Sequence, residues 1–146
     1  ISVSAGGKIE DAVPKEGEAL DPYTGYSGSR TMPPKWRPEK VNVYLAKDIK
    51  STLNAAGFFP TVITAGRILT ADAAEGILQN NEADMVAIGR PILCDPYWPN
   101  KLKAARENEI LKCIYCNECR EAEGAFEEVT CIQWKKKDGS VVVPDP

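Results

Sequence analysis

Five cysteines and no histidine bound the chemistry open to this 146-residue chain. Three of the cysteines form the run Cys113-Ile-Tyr-Cys116-Asn-Glu-Cys119, and Cys131 follows after eleven residues. Thiolates three residues apart can close around one compact centre, with a fourth arriving from a loop. Iron–sulfur clusters are held by four Cys in such C-x2-C-x2-C runs. A structural zinc site more often shows two separated C-x2-C knuckles, and a disulfide framework belongs with secreted proteins; both stay open as alternatives. Cys94 stands outside the run, and its expected role is packing, with a reactive thiol as the alternative. The lack of His removes a His general base, a Ser-His-Asp triad and His-ligated zinc from anything this chain does alone.

A second signal is a repeated ending. Ile63-Thr-Ala65-Gly66-Arg67 and Val86-Ala-Ile-Gly89-Arg90 each close an apolar run with Gly-Arg, one strand-helix unit apart. The two pairs are therefore expected at the same carboxyl edge of neighbouring parallel strands. Glycine lets backbone N–H groups approach an anion, and arginine offers a fixed fork for phosphate oxygens. A turn followed by a solvated charge is the plainer reading of either pair alone. Neither a Walker loop nor a close glycine triplet is present.

The elements that must position these groups alternate. Ile1, Val3 and Ala5 have the period of a strand that stops at Gly6-Gly7. Residues 8–38 read as a long connection rich in Pro and Gly, whose Tyr23, Tyr26 and Trp36 favour a partly ordered, functional loop. Val41, Leu45, Ile49 and Leu53 predict a helix over 41–56 ended by Gly57. A strand over 61–65, a helix over 71–80 capped by Thr70, a strand over 85–88 and a helix over 99–106 follow. Alternation of this kind predicts an α/β fold with a parallel sheet and right-handed crossovers, and the apolar second and third strands suggest that both sheet faces are covered. Beyond residue 112 the chain turns polar and Cys-rich, and Thr130–Lys135 with Val141–Val143 around Asp138-Gly139 predicts a small hairpin.

A chain with 43% hydrophobic and 27% charged residues is globular in composition, and a net charge of −3 disfavours nucleic acid or an anionic membrane as partner. No apolar run approaches the ~20 residues that span a bilayer. Three parallel strands leave two open edges, and two or three helices cannot cover both faces. The expectation is a piece of a larger doubly wound sheet or closed eight-stranded barrel, completed by a missing barrel half or a partner chain and present as an oligomer.

Taken together, Ile1-Ser-Val-Ser-Ala-Gly-Gly7, Ile63-Thr-Ala-Gly-Arg67, Asp84-Met-Val-Ala-Ile-Gly-Arg-Pro91, Asp95-Pro-Tyr-Trp-Pro-Asn-Lys101 and the cysteine run resemble the old yellow enzyme family. The likeness is to its iron–sulfur branch of enoate reductases, dienoyl-CoA reductases and trimethylamine dehydrogenase. The resemblance implies that residues 1–112 are the last three βα units of an FMN-binding (β/α)8 TIM barrel, and that 113–146 are an iron–sulfur segment with a β-hairpin. It implies that Ala65, Gly66, Arg67, Gly89 and Arg90 hold the FMN phosphate, and that Cys113, Cys116, Cys119 and Cys131 hold a 4Fe–4S cluster passing single electrons to FMN. The implied reaction is hydride transfer to an activated C=C bond of a small-molecule enoate or CoA thioester. Amine oxidation on the same architecture and a non-catalytic electron carrier are the alternatives. FAD and NAD(P)H belong to family parts absent from this chain, as do the family's catalytic residues, so no catalytic residue is assigned. Tyr23 and Tyr26 lie where the family contacts substrate, and loop packing explains them equally well. Thiolate ligands and the lack of a targeting signal imply the cytoplasm.

Overall fold

The computed structural model describes residues 1–136 and 138–146, in two compact units, residues 1–88 and 89–146. The first unit contains a parallel sheet of β1 (Ser2–Val3), β4 (Ile63–Ala65) and β5 (Met85–Ala87), in the order β1-β4-β5. Ser2 pairs with Ile63, and Ala65 pairs with Ala87. Helices α2 (Val43–Ala55) and α3 (Ala71–Gln79) make the crossovers. Val3, Val43, Ala46, Val62, Ile68, Ile77 and Ala83 form the core between sheet and helices. Among the described residues no helix is long and apolar enough to cross a membrane.

Both helices end as their sequences direct. Gly57 stands at a φ of 84°, and the N–H groups of Gly57 and Phe58 return to the carbonyls of Asn54 and Leu53. The same closure at Asn81 (φ 56°) and Glu82 ends α3, with asparagine in the left-handed place that glycine usually takes. Thr70 Oγ1 accepts from the N–H of Ala73 at 3.1 Å and starts α3.

Several expectations change in this unit and the next. Residues 8–38, expected as a partly ordered connection, carry regular elements: β2 (Val13–Pro14) and β3 (Leu20–Asp21) pair antiparallel, and α1 (Gly25–Thr31) follows. The signal for α1 is not local. Its first N–H groups, from Tyr26 and Ser27, are accepted by the carboxylate of Asp11 at 2.6 and 3.0 Å. Those amide donors hold Asp11 below its ordinary pKa. The inward face of α2 is Val43, Ala46 and Lys50, while Ile49 is exposed. A lysine in the buried stripe hides that face from a hydrophobic pattern. It is buried because its Nζ reaches Asp84 Oδ1 at 2.7 Å and Asn81 Oδ1 at 2.6 Å. Strand β5 is not covered on both faces here, since Met85 and Ala87 are exposed.

The second unit begins with α4 (Arg90–Cys94), which the sequence reading missed, and continues with α5 (Trp98–Lys103), shorter than the helix expected over 99–106. Ala105, left-handed at a φ of 55°, sends the N–H of Arg106 back to Lys101 O and ends α5 early. A third helix, α6 (Glu118–Gly124), runs out of the cysteine run. The expected hairpin is reduced to one bridge, Lys135 to Val141, because residues 132–134 coil into a single 3-10 turn. Lys137, within that hairpin, lies outside the described residues.

Candidate functional site

The end of β4 is built around a glycine that has no substitute. Gly66 has a φ of 122°, and a Cβ there would stand 2.7 Å from Asn42 Nδ2. Asn42 is held in place by a buried arginine. Arg30 Nη2 donates to Asn42 Oδ1 at 3.2 Å and to Tyr44 Oη at 2.9 Å, and Asn42 Nδ2 donates to the carbonyl of Arg30 at 3.3 Å. Arg30 Nη1 donates to Tyr26 Oη at 2.9 Å, so the phenol expected to line a pocket or pack in the loop orients this cation. The ring of Tyr23 lies beneath Lys8 Nζ at 4.9 Å. Arg67 is left-handed (φ 54°), and its carbonyl accepts from the N–H of Lys40 at 3.1 Å. A stack of buried polar contacts therefore fixes Ala65, Gly66 and Arg67. Because Ala65 is level with Ala87, the carboxyl ends of β4 and β5 lie at one sheet edge. The spacing of the Gly-Arg pairs carried that much; Arg30 and Asn42 carried no sequence signal.

Gly89 and Arg90 fall in the second unit. Gly89 is exposed, and no described atom lies within 4 Å of the position its Cβ would take. Arg90 sits with the cysteines. Its guanidinium lies 4.5 Å from the centre of the Tyr115 ring, and its Nη1 donates to Asn117 Oδ1. Tyr115 and Asn117 are both left-handed (φ 55° and 68°) and both buried. They alternate with Cys113, Cys116 and Cys119, and bend the run on itself. Asparagine tolerates that conformation; for tyrosine it costs roughly 1–2 kcal/mol, which stacking against the half-buried Arg90 guanidinium offsets in part.

Cys131 is brought to the same place by its neighbours. Gln133 Nε2 donates to Lys112 O at 2.8 Å and to Cys94 Sγ at 3.2 Å, and Trp134 Nε1 donates to Cys94 O at 2.7 Å. The result is a small pocket lined by all five cysteines, with Arg90, Tyr115 and Asn117 in its wall. Cys94 is buried, and its Sγ belongs to this wall, so its role is not packing alone. Burial pushes the thiols of Cys113 and Cys119 up; the N–H of Tyr115 and the charge of Arg90 pull Cys113 back down, and Arg90 does the same for Cys119. Burial also raises Cys94, and Cys131 beside it adds to the effect. All five thiols are unpaired in disulfide terms. Among the described residues no three Cys, Asp or Glu side chains gather closely enough for a single metal ion.

Behind the pocket, Asp95 and Lys101 form a buried ion pair at 3.0 Å. Asp95 Oδ2 also accepts from the N–H of Leu111 at 2.9 Å, and Lys101 Nζ donates to Glu109 O at 3.3 Å. The pair fixes the chain two residues before Cys113.

Residues 33–109, just over half of the chain, match the NADH:flavin oxidoreductase / NADH oxidase family. The chain belongs to that family. An NADH oxidase of Thermoanaerobacter brockii is 43% identical over 91 residues, which are 60% of this chain and 13% of that protein. A cinnamate reductase of Clostridium sporogenes is 32% identical over 71 residues, 48% of this chain and 11% of the reductase. The chain thus spans a small fraction of the length of these flavin oxidoreductase relatives. Among solved structures, the 6-hydroxypseudooxynicotine amine oxidase of Pseudomonas geniculata superposes with a TM-score of 0.65 at 23% identity, over 72% of this chain and 15% of that one. That likeness speaks for a shared α/β fold.

Proposed function

We propose that this chain is part of a flavin-dependent oxidoreductase that reduces an activated C=C bond of an enoate or enoyl-CoA type substrate. In this reading it carries part of the FMN site and a complete 4Fe–4S site. The observation that carries the proposal is the single pocket lined by Cys113, Cys116, Cys119 and Cys131, in a chain of the flavin oxidoreductase family. A zinc ion needs four donors ~2.3 Å from one point. An iron–sulfur cluster binds each thiolate to a different iron, so its thiolates ring a larger volume than one ion needs, and four cysteines lining one pocket suit that demand. The cinnamate reductase among the relatives favours C=C reduction over amine oxidation.

When bound, FMN supplies hydride chemistry and the cluster single-electron transfer. The chain's own residues bind and orient. Ala65, Gly66, Arg67, Gly89 and Arg90 are the residues that the family resemblance gives to the FMN phosphate, and in the first unit the Arg30–Asn42 contacts fix the backbone at Gly66. The four cysteines supply the thiolates, and the amide of Tyr115, 3.5 Å from Cys113 Sγ, donates to one of them. The open edges of the sheet at β1 and β5 fit a barrel whose other strands come from further sequence.

An anaerobic absorption spectrum with flavin, iron and sulfide analysis of the intact protein tests this. Flavin bands with about four irons per chain are expected. Zinc without iron, or iron without flavin, would overturn it.

A further inference from the structure

Arg30 is a buried cation with only neutral company. Its donors go to the phenols of Tyr26 and Tyr44, the amide of Asn42 and the carbonyl of Val41. Arg37 repeats the pattern in the same unit. Its Nε and Nη2 donate to Ser29 Oγ at 3.2 and 2.6 Å, and Nη2 also donates to the carbonyl of Tyr26 at 3.4 Å. Its other terminal nitrogen, Nη1, has no acceptor among the described residues. Both guanidinium carbons lie near one ring, at 5.3 and 5.1 Å from the centre of Tyr26. Among the described residues no carboxylate pairs with either arginine, Glu39 included. Two like charges this close, one of them desolvated, call for an anion. The Arg37 guanidinium also lies 4.9 Å from the centre of the Trp36 ring, and Trp36 is 70% exposed, so most of the indole is free to take a second ring.

We propose that Trp36 and Arg37, with Tyr26 beneath and the buried charge of Arg30 behind, bind a phosphorylated nucleoside. Arg37 Nη1 donates to a phosphate oxygen, and Trp36 stacks on the base. A phosphate dianion balances two guanidiniums, whereas a carboxylate balances one. Arg30 also holds Asn42 against Gly66, so the site adjoins the carboxyl end of β4. That the nucleoside belongs to a reactant, as the handle of a CoA thioester or as half of a dinucleotide donor, rests on the function proposed above; the site itself does not.

The test is equilibrium dialysis of the intact protein against adenosine 3′,5′-bisphosphate, the charged handle of a CoA thioester, and against ADP, the matching part of a dinucleotide donor. Flavin and iron are measured on the same samples. Trp36→Leu is expected to keep the melting temperature of the wild type and to weaken one of the two probes roughly tenfold, as the loss of one base stack implies. Arg37→Gln is expected to weaken the same probe by at least as much, and Arg37→Lys to recover part of the loss. The probe affected identifies the source, and any other nucleotide site of the intact protein is left unmoved. If Arg37→Gln fails to fold, Trp36→Leu and Arg37→Lys carry the test. A wild type that binds neither probe, folded variants that bind both as the wild type does, or a loss confined to one of the two residues would overturn the inference. Wild-type protein without flavin or iron would refute the proposed function and leave this site to be decided by the dialysis.

Discussion

Replacing Gly66 with alanine should damage the carboxyl end of β4 through its buried neighbour Asn42. The φ of 122° lies outside the wells open to an L-residue, and holding alanine there costs on the order of 1–3 kcal/mol. The new methyl would also stand 2.7 Å from Asn42 Nδ2 and 3.2 Å from its Cβ and Cγ, so Asn42 must move. Asn42 is buried and bonded at both ends of its amide to Arg30, whose guanidinium is itself buried. Losing hydrogen bonds to a buried charge adds roughly 1.5–3 kcal/mol. The expected total is about 3–5 kcal/mol, once partial relaxation of Arg30 onto Tyr26 and Tyr44 is allowed for. Urea unfolding of the intact protein, followed by intrinsic fluorescence, measures it, and bound flavin per chain gives a second readout. Asn42→Ala provides the control. In the Gly66→Ala, Asn42→Ala double variant the side-chain clash is gone, so the two losses should fall short of additive by more than 1 kcal/mol. A Gly66→Ala variant within ~1 kcal/mol of wild type, or strict additivity in the cycle, would refute the argument from Asn42.

The remaining predictions concern the two salt-linked supports and the cluster. Lys101→Met should destabilise the second unit by about 3–5 kcal/mol, because it leaves the buried carboxylate of Asp95 without its cation; calorimetry measures the loss, and Lys101→Arg should recover part of it. Asp84 is held below its ordinary pKa of 3.8 by Lys50 and the N–H of Val62. The stability it lends is therefore present above 3.8 and is lost as pH falls through its lower folded value. The gap in melting temperature between wild type and Asp84→Asn should accordingly be constant from neutral pH down to about 5 and close below the ordinary carboxylate range. On the proposed 4Fe–4S reading, Cys116→Ser should lower the iron content to near zero while leaving the far-ultraviolet spectrum of the intact protein unchanged, since Cys116 is exposed. Thr70→Ala should cost ~1 kcal/mol through the lost cap of α3, measured by denaturation.

Where hydrophobic pattern and local capping decide structure, the sequence was legible. Strands β4 and β5, helix α3 with its Thr70 cap, and the end of α2 at Gly57 lie where their residues put them. Features set by polar contacts between distant residues were not legible. Helix α1 depends on a carboxylate fourteen or more residues away, and the buried face of α2 includes a lysine whose partners lie in the connection between α3 and β5. Helix α6 and the turn at 132–134 arise from the same cause, because Asn117 serves Arg90 and Trp134 serves Cys94. The spacing of the four cysteines marked them as one set, and it could not reveal the fifth. Cys94 is 37 residues ahead of Cys131, and the side chain of Gln133, two residues beyond Cys131, donates to the sulfur of Cys94.

Both candidate binding surfaces rest on the same construction. At β4, a buried arginine holds an asparagine that shapes the chain beside Gly66. In the cysteine run, an arginine holds an asparagine that bends the chain between Cys116 and Cys119. In each case a short loop has to keep an unusual backbone conformation in order to present groups to a ligand, and loops this short cannot bury enough apolar surface to hold it. A charged, multidentate side chain can, because a guanidinium fixes several acceptors in one plane and loses much if any of them shifts. The cost is desolvation of the cation, offset here by Tyr26 and Tyr44 around Arg30 and by Tyr115 beneath Arg90. Tyr26 and Tyr44 are therefore tied to Arg30, and Tyr115 to Arg90. Substituting Tyr44 or Tyr115 should then loosen the loop that its arginine holds, whichever ligand that loop presents.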